Sequence, residues 1–505
     1  MSCMPKSHAQ ASAETRVTAD FLLNFSSDNV RYLARSFIVP GDHDGQQSVG
    51  GRFPYGPVMV ISPFNFPLEI PVLQLMGALF MGNQVTLKPA EKVGVVMEQF
   101  IRLLHDCGLP ASDINLLNCE GPVAGELLKL SDIRVTQFTG SSKIGEHLSK
   151  QTHGKIKLED AGFDWKILGP DVGDVDYVAW QCDQDAYACT GQKCSAQSIL
   201  FAHENWTAAG VDIIDKIKRN AEMRSHEDLS IGPVMTHTTE SILEHTNKVS
   251  SGTHTPLAQN LGGDVNRVEL RTSLAFVAQN ALLRTRCSEQ APLKRPFRAA
   301  LLYNAAPLVC GPLCLQRRPF VHTWLWMHGA HIFSFTSPKL LKIPGSRLLF
   351  GGEELPNHDI PKCYGAVKPT AVFVPLSELV KPENFDDCVE EIFGPFQVVT
   401  EYADSEICTV LDTCERMSHH LTAAVVSNDA KFCKEVLGST VNGTTYVGRR
   451  ARTTGAPQNH WFGPGGDPRG AGIGSKEAIK LVWSYHREII TDQLVPEDWV
   501  QPKVS

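Results

Sequence analysis

The sequence predicts an α/β protein, on three observations. Residues 53–248 and 340–490 alternate short apolar runs with amphipathic helical patterns and glycine turns, the texture of strands laid between helices. The 505 residues are 42% hydrophobic and 20% charged, an ordinary globular composition with core enough for about three domains. No segment repeats at a fixed period, which excludes solenoids and coiled coils.

In chain order, Met1–Asp20 has no apolar stretch of the secretory kind and few basic residues, so it reads as neither a signal peptide nor a good organelle presequence. Val58–Ile61, Val85–Leu87, Arg134–Thr139 and Ala371–Val374 read as buried strands. Val95–Cys107 has apolar residues three and four apart and reads as a helix. Thr239–Lys248 is an amphipathic helix that would run on into Leu340–Ile343 and stop at Pro344-Gly345.

Residues 249–339 interrupt that helix with a different texture. They hold ten basic and three acidic residues, a net of +7, which leaves −15 for the rest of a chain whose total is −8. Their apolar residues follow no sustained period. Lys-Val-Ser at 248–250 can be encoded as a splice donor and Phe333–Lys339 as a pyrimidine-rich acceptor, so the segment reads as a translated intron, atypical and disordered. Cys310, Cys314, His322 and His328 loosely resemble a zinc spacing, but Pro312 sits inside the knuckle and the expectation is no metal. Ala299–Leu315 falls short of the ~20 residues a span needs and contains two prolines, so no membrane is expected.

The net charge of −8 argues against a nucleic-acid partner. Fourteen cysteines are too sparse for a disulfide scaffold and point to a reducing compartment.

Chemistry concentrates in short turns. Val135–Gly145 (VTQFTGSSKIG) runs strand, Gly140, Ser141, helix; such a helix N-terminus suits a phosphate, with Ser141 as cap or phosphate donor, although plain strand-to-helix turns share the pattern. Glu159 in Leu158–Gly162 (LEDAG) offers a general base, or an ordinary surface carboxylate. Cys194 in CTGQKCSA, beside Lys193, offers a thiol of lowered pKa, or an inert buried cysteine. Lys88, by itself, reads as an exposed strand-end lysine.

Taken in order with SPFNFP (62–67) and EEIFGP (390–395), these turns resemble the aldehyde dehydrogenase superfamily from residue 53 to about 490, the insert excluded. The resemblance implies an aldehyde dehydrogenase-like α/β fold: a Rossmann-type NAD domain, an α/β catalytic domain and a small oligomerisation hairpin and tail. It implies Cys194 as nucleophile, Glu159 as base and Asn65 as an oxyanion donor. NAD is the implied cofactor, held by Lys88 and Glu91 at the adenosine ribose, Gly140 and Ser141 at the phosphates, Glu391 at the nicotinamide ribose and Phe393 against the ring. GQKCSA, DAGFDW and TGAPQNHWFG are similar to the plant-type delta-1-pyrroline-5-carboxylate dehydrogenase branch, which implies glutamate γ-semialdehyde as substrate, proline breakdown and the mitochondrial matrix, with cytoplasm as the alternative. Its remote carboxylate would then meet Gly463, Gly465, Gly466 and one of Arg449, Arg450 or Arg452.

The implied division is 1–33 as an incomplete N-terminal part of the NAD domain, 34–53 as oligomerisation hairpin and 54–160 as NAD domain. Residues 161–475 would form the catalytic domain and 476–505 the tail of a homo-oligomer. Another semialdehyde as substrate, or a truncated inactive relative, are the competing expectations.

Overall fold

The computed structural model describes residues 4–246 and 340–503, apart from 27, 34–35, 43–44, 131, 161 and 496. The segment 249–339, with its intron reading and its Cys/His spacing, lies outside the described residues. Helix α1 (His8–Asn24) opens the chain, followed by strands β1 (Phe37–Pro40) and β2 (Gln47–Pro54). Ser7 starts α1 through a capping box, its hydroxyl accepting from the Gln10 N–H while the Gln10 amide oxygen accepts from the Ser7 N–H. Next come β3 (Pro57–Ile61), α2 (Glu69–Phe80), β4 (Gln84–Lys88), α3 (Gly94–Asp106), β5 (Ile114–Leu116), α4 (Gly121–Leu130), β6 (Val135–Gly140), α5 (Ser142–Gln151) and β7 (Ile156–Asp160).

These five strands, β3 to β7, pair in parallel in the order β5-β4-β3-β6-β7. Their unbroken apolar runs suit a sheet covered on both faces. The expected strands at 58–61, 85–87 and 134–139 match β3, β4 and β6, and the expected helix at 95–107 matches α3, within a residue at each end. From β3 the chain steps to β4 and β5, then returns to the other side as β6. That reversal opens a crevice at the carboxyl ends of β3 and β6, where ligands of open α/β sheets lie.

The second sheet is built from β8 (Asp164–Leu168), α6 (Val175–Tyr187), β9 (Gln197–His203), α7 (Glu204–Thr207), α8 (Ile213–Glu222), α9 (Thr239–Thr246), β10 (Arg347–Phe350), β11 (Thr370–Phe373), α10 (Leu376–Leu379), α11 (Pro382–Cys388), β12 (Phe396–Tyr402), α12 (Ile407–Arg416), β13 (Thr422–Val426), α13 (Ala430–Gly438) and β14 (Thr444–Val447). The order is β10-β11-β12-β9-β8-β13-β14, parallel except for β10. Alternate residues feed opposite cores: Trp165, Ile167 and Phe201 join Val398 on one face, while Leu168, Leu200 and Ala202 join Trp206 on the other. The helix expected at 239–248 is α9, described to Thr246; Leu340–Lys342 make one 3-10 turn before left-handed Gly345.

Lys166 breaks the apolar run of β8. Its ammonium pairs with Asp185 of α6 at 2.8 Å, and both side chains are 0% exposed. The Asp185 carboxylate also accepts the Thr453 N–H at 2.8 Å. Substituting Lys166→Met removes the nearest cation from the buried Asp185 carboxylate, leaving it the Thr453 N–H and Arg452 at 4.0 Å, and should lower stability by about 3 kcal/mol. A melting temperature equal to that of the unsubstituted protein would refute this reading of the pair.

After α14 (Lys476–Trp483), β15 (Ser484–Thr491) pairs antiparallel with β2 over its whole length, giving a separate sheet β1-β2-β15. The hairpin and the tail read from sequence are thus one structure. The N-terminal helix is equally well anchored: Phe21 of α1 and Phe25 just after it pack into the core against Phe80 of α2. Among the described residues no helix is long and apolar enough to cross a membrane, and no three His, Cys, Asp or Glu side chains are grouped to hold a metal ion.

Candidate active site

The site lies where the carboxyl end of β7 meets the turn that enters β9. Cys189, Thr190 and Gly191 run through the left-handed region at φ 57°, 58° and 66°. At Gly191 a Cβ would sit 1.9 Å from the Gly394 carbonyl oxygen, so only glycine lets this turn rest on the Phe393–Pro395 loop. Side chains pin the rest. Thr190 Oγ1 accepts the Gly232 N–H at 2.8 Å, Gln192 Oε1 accepts the Met235 N–H at 2.7 Å, and Gln192 donates to the Pro233 carbonyl at 2.9 Å. Lys193 turns away, donating to the Gln184 and Asp185 carbonyls at the end of α6, at 2.9 and 2.8 Å.

Cys194 is thereby presented to Glu159, its Sγ donating to Oε1 at 3.8 Å. Glu159 is buried, and its Oε2 has no protein partner. Burial raises its pKa to about 8, against hydrogen bonds from Cys194 and Thr139, with Glu69 and Asp160 pushing the same way as burial. The thiol does not have the lowered pKa expected from Lys193. Burial, then the negative field of Glu159, Asp164, Glu391 and Glu69, pushes it well above the ordinary thiol range. The physical reason is the direction of Lys193, whose charge is directed into α6 and whose own pKa falls to about 8 through burial. At neutral pH the thiol therefore rests protonated, beside a carboxyl that becomes able to take its proton as pH rises toward 8.

Asn65 follows β3 and is buried. Its Nδ2 donates to the Gln192 carbonyl at 3.1 Å, two residues before the thiol, while its Oδ1 has no protein partner. Next to it, the Phe64 ring meets Phe393 edge-on at 6.1 Å, with Phe393 at φ 50°. Glu391, two residues earlier, is pushed up to about 8 by burial, opposed by a hydrogen bond from the Gly162 backbone. Hydrogen bonds thus tie Asn65 and Glu159 to the thiol turn, while Glu391 and Phe393 line a small pocket with Gly191 and Lys193 of the same turn.

The other predicted positions lie at the crevice of the first sheet. Lys88 ends β4; it is buried rather than exposed, donating to the Pro89 carbonyl at 3.2 Å with the Glu91 carboxylate at 3.7 Å. Gly140 ends β6, and α5 begins two residues on. Ser141 holds the N-cap position but makes no side-chain cap bond, contrary to the capping role considered from sequence. It stands at the start of α5, the end of a helix that suits an anion. These residues fit a dinucleotide: a helix N-terminus after β6 for the diphosphate, and at the end of β4, across β3, a buried ammonium with a carboxylate for a ribose.

The predicted carboxylate-binding residues are corrected in part. Arg449 is held by Asp171, through its carbonyl at 2.8 Å and its carboxylate at 3.0 Å, with Asp174 at 3.7 Å. Arg450 is exposed and reaches the Tyr177 hydroxyl at 3.4 Å. The Gly465 N–H is already bonded to the His420 carbonyl at 2.8 Å. Arg452 alone of the three arginines lies by Asp185, at 4.0 Å, on the helix end that holds Lys193. Thr454 opens the TGAPQNHWFG motif, but its role shows only in the fold: its hydroxyl donates to the Ser195 carbonyl at 3.1 Å and so ties the 452–454 loop to the thiol turn.

A parallel sheet with a crevice at its strand ends, together with a half-buried thiol donating to a buried carboxyl, defines a class: oxidoreductases that work through a covalent cysteine. The chain belongs to the aldehyde dehydrogenase family, which residues 2–273 match. A probable aldehyde dehydrogenase of Linum usitatissimum is 53% identical over 488 residues, 97% of this chain and 72% of that protein. Delta-1-pyrroline-5-carboxylate dehydrogenase 12A1, mitochondrial, of Arabidopsis thaliana is 50% identical over 500 residues, 99% of this chain and 73% of that one. Two solved structures share the fold at 20% identity. NADP-dependent glyceraldehyde-3-phosphate dehydrogenase from Bacillus halodurans, complexed with NADP, has a TM-score of 0.66 over 97% of this chain and 81% of its own. Bifunctional proline utilization A has 0.64, over 96% of this chain and 40% of its own. The chain is accordingly an aldehyde-oxidising enzyme that uses a nicotinamide dinucleotide.

Proposed function

We propose that this enzyme oxidises L-glutamate γ-semialdehyde, the open form of delta-1-pyrroline-5-carboxylate, to L-glutamate with NAD, in proline breakdown. The 3.8 Å contact between the Cys194 thiol and the Glu159 carboxyl carries the chemistry. Half-identity along 99% of the chain to the Arabidopsis enzyme carries the substrate.

Glu159 takes the thiol proton, and the thiolate attacks the aldehyde carbon. The oxyanion of the resulting thiohemiacetal is met by the Asn65 amide and the Cys194 N–H, donors already fixed before reaction. A bound nicotinamide dinucleotide supplies the hydride acceptor. Cys194 then holds a thioester; Glu159, after passing the thiol proton to solvent, takes a proton from the water that attacks the thioester, and the acid leaves as the Cys194 thiolate departs. Glu391 would meet the nicotinamide ribose and Phe393 the ring, with Gly140 and Ser141 at the diphosphate. The substrate's remote carboxylate would be met by Arg452 and the Gly463 and Gly466 N–H groups.

Lys88 and Glu91 would hold the adenosine ribose hydroxyls, and the half-exposed Glu91 carboxylate would repel a 2′-phosphate. Glu91→Ala should raise the ratio of kcat/KM for NADP over NAD by roughly tenfold, worth about 1.4 kcal/mol. An unchanged ratio would remove Glu91 from cofactor choice.

The first sheet would be the dinucleotide domain (54–160) and the second the catalytic domain (161–475), with β1, β2 and β15 joining copies of the chain into a homo-oligomer. The matrix of mitochondria is the proposed site of action, on the Arabidopsis relative's description as mitochondrial. Steady-state NADH formation with pyrroline-5-carboxylate and with succinic semialdehyde tests the substrate. A higher kcat/KM for the second would overturn the assignment.

A further inference from the structure

Asn65 is braced from behind by residues far from the reacting atoms. Helix α2 begins with Leu68 as its N-cap, at φ −107°, and no side chain of its own caps it. The acceptor comes from another helix. Glu14 of α1 accepts the Leu68 N–H at 2.8 Å and the Glu69 N–H at 3.2 Å through the same Oε1. A carboxylate at this end is also favoured by the positive end of the helix dipole. Its second oxygen, Oε2, takes Lys6 Nζ at 2.8 Å, and that ammonium stands 3.6 Å from the centre of the Phe66 ring. Lys6 and Glu14 are both buried. Phe66 directly follows Asn65, and Leu68 comes two residues later, so the Lys6–Glu14 pair holds the turn on one side while the Gln192 carbonyl holds the Asn65 amide on the other.

We propose that Glu14 and Lys6 are positioning residues, which aim the Asn65 amide at the substrate oxygen by fixing the turn between β3 and α2. The inference rests on the oxyanion role given to Asn65 above. An amide donor is effective only if it is already in place when charge develops, and displacement by about 1 Å costs up to two orders of magnitude in rate. Removing the brace frees the backbone around Asn65 without touching Cys194, Glu159 or the cofactor crevice. The expected effect is on kcat, with little change in KM for the dinucleotide.

The test is a double-mutant cycle on the full chain, reading kcat for pyrroline-5-carboxylate with NAD for Glu14→Ala, Lys6→Met, Asn65→Ala and the two pairs with Asn65→Ala. Each brace substitution should lower kcat about tenfold by itself and less than twofold when Asn65 is already alanine. Glu14→Gln keeps an acceptor oxygen for the two N–H groups and should restore most of the rate, so the comparison survives if Glu14→Ala folds poorly. A tenfold fall in both backgrounds, with Asn65→Ala itself defective, overturns the brace and leaves the oxyanion role standing. An Asn65→Ala protein with undiminished kcat overturns both.

Discussion

Replacing Cys194 by serine should lower kcat by on the order of 10⁴-fold or more while leaving the melting temperature nearly unchanged. The turn does not depend on the sulfur: it is held by Thr190, Gln192 and Lys193, each bonded to backbone outside it, and the half-buried Cys194 only edges the core. The chemistry depends on it entirely. A serine hydroxyl in the same place is a far weaker acid than a thiol, so Glu159, even ionised, would leave it protonated and weakly nucleophilic. An intermediate held on the chain should vanish with it. Intact mass after rapid acid quench of the native enzyme with substrate and NAD should show an acyl adduct that maps to Cys194. Turnover within tenfold of native in the serine variant would remove the covalent route. A companion measurement follows from the raised thiol pKa. Alkylation of Cys194 by iodoacetamide, followed by peptide mass, should be slow at pH 7 and quicken steadily above pH 8.

The strands and turns that carry this chemistry were legible because local pattern and function coincide there. Cys194, Glu159, Asn65 and Gly140 each sit at a strand end or a tight turn, where the residue types themselves are unusual. The apolar runs of β3, β4 and β6 needed no partner to be read, since a strand covered on both faces is apolar throughout. What failed was direction. Lys193 adjoins Cys194 in sequence, yet its side chain leaves by the opposite face toward α6, so adjacency gave the wrong sign for the thiol. Among the three candidate arginines the sequence could not choose either, since the pairing of Arg449 with Asp171, far away in sequence, appears only in the fold. The roles of Glu14 and Thr454 were invisible for a related reason: each residue acts on a backbone group brought to it only by the fold. Long-range pairing to backbone leaves no mark in residue type.

The Glu159→Gln substitution should cost 10²–10⁴-fold in kcat and also abolish the dependence of rate on pH near 8. In the native site burial holds the Glu159 carboxyl at about 8, so it is mostly protonated at pH 7 and becomes a base as pH rises. Rate should therefore climb through that range and level off above it. Glutamine keeps the shape and one acceptor oxygen for the thiol but cannot take a proton, so the limb belonging to Glu159 disappears. Stability should move the other way. A carboxyl whose folded pKa lies above its unfolded value of about 4.5 binds its proton more tightly in the folded state, so stability is lost as pH rises between those values. Glutamine carries no such penalty, so Glu159→Gln should melt higher than native at pH 8.5 and closer to it at pH 5. A variant that loses rate yet gains no stability at alkaline pH would mean that the native carboxylate is not buried at a cost. The base would then be tuned by hydrogen bonds, through Thr139 and Cys194, rather than by exclusion of water.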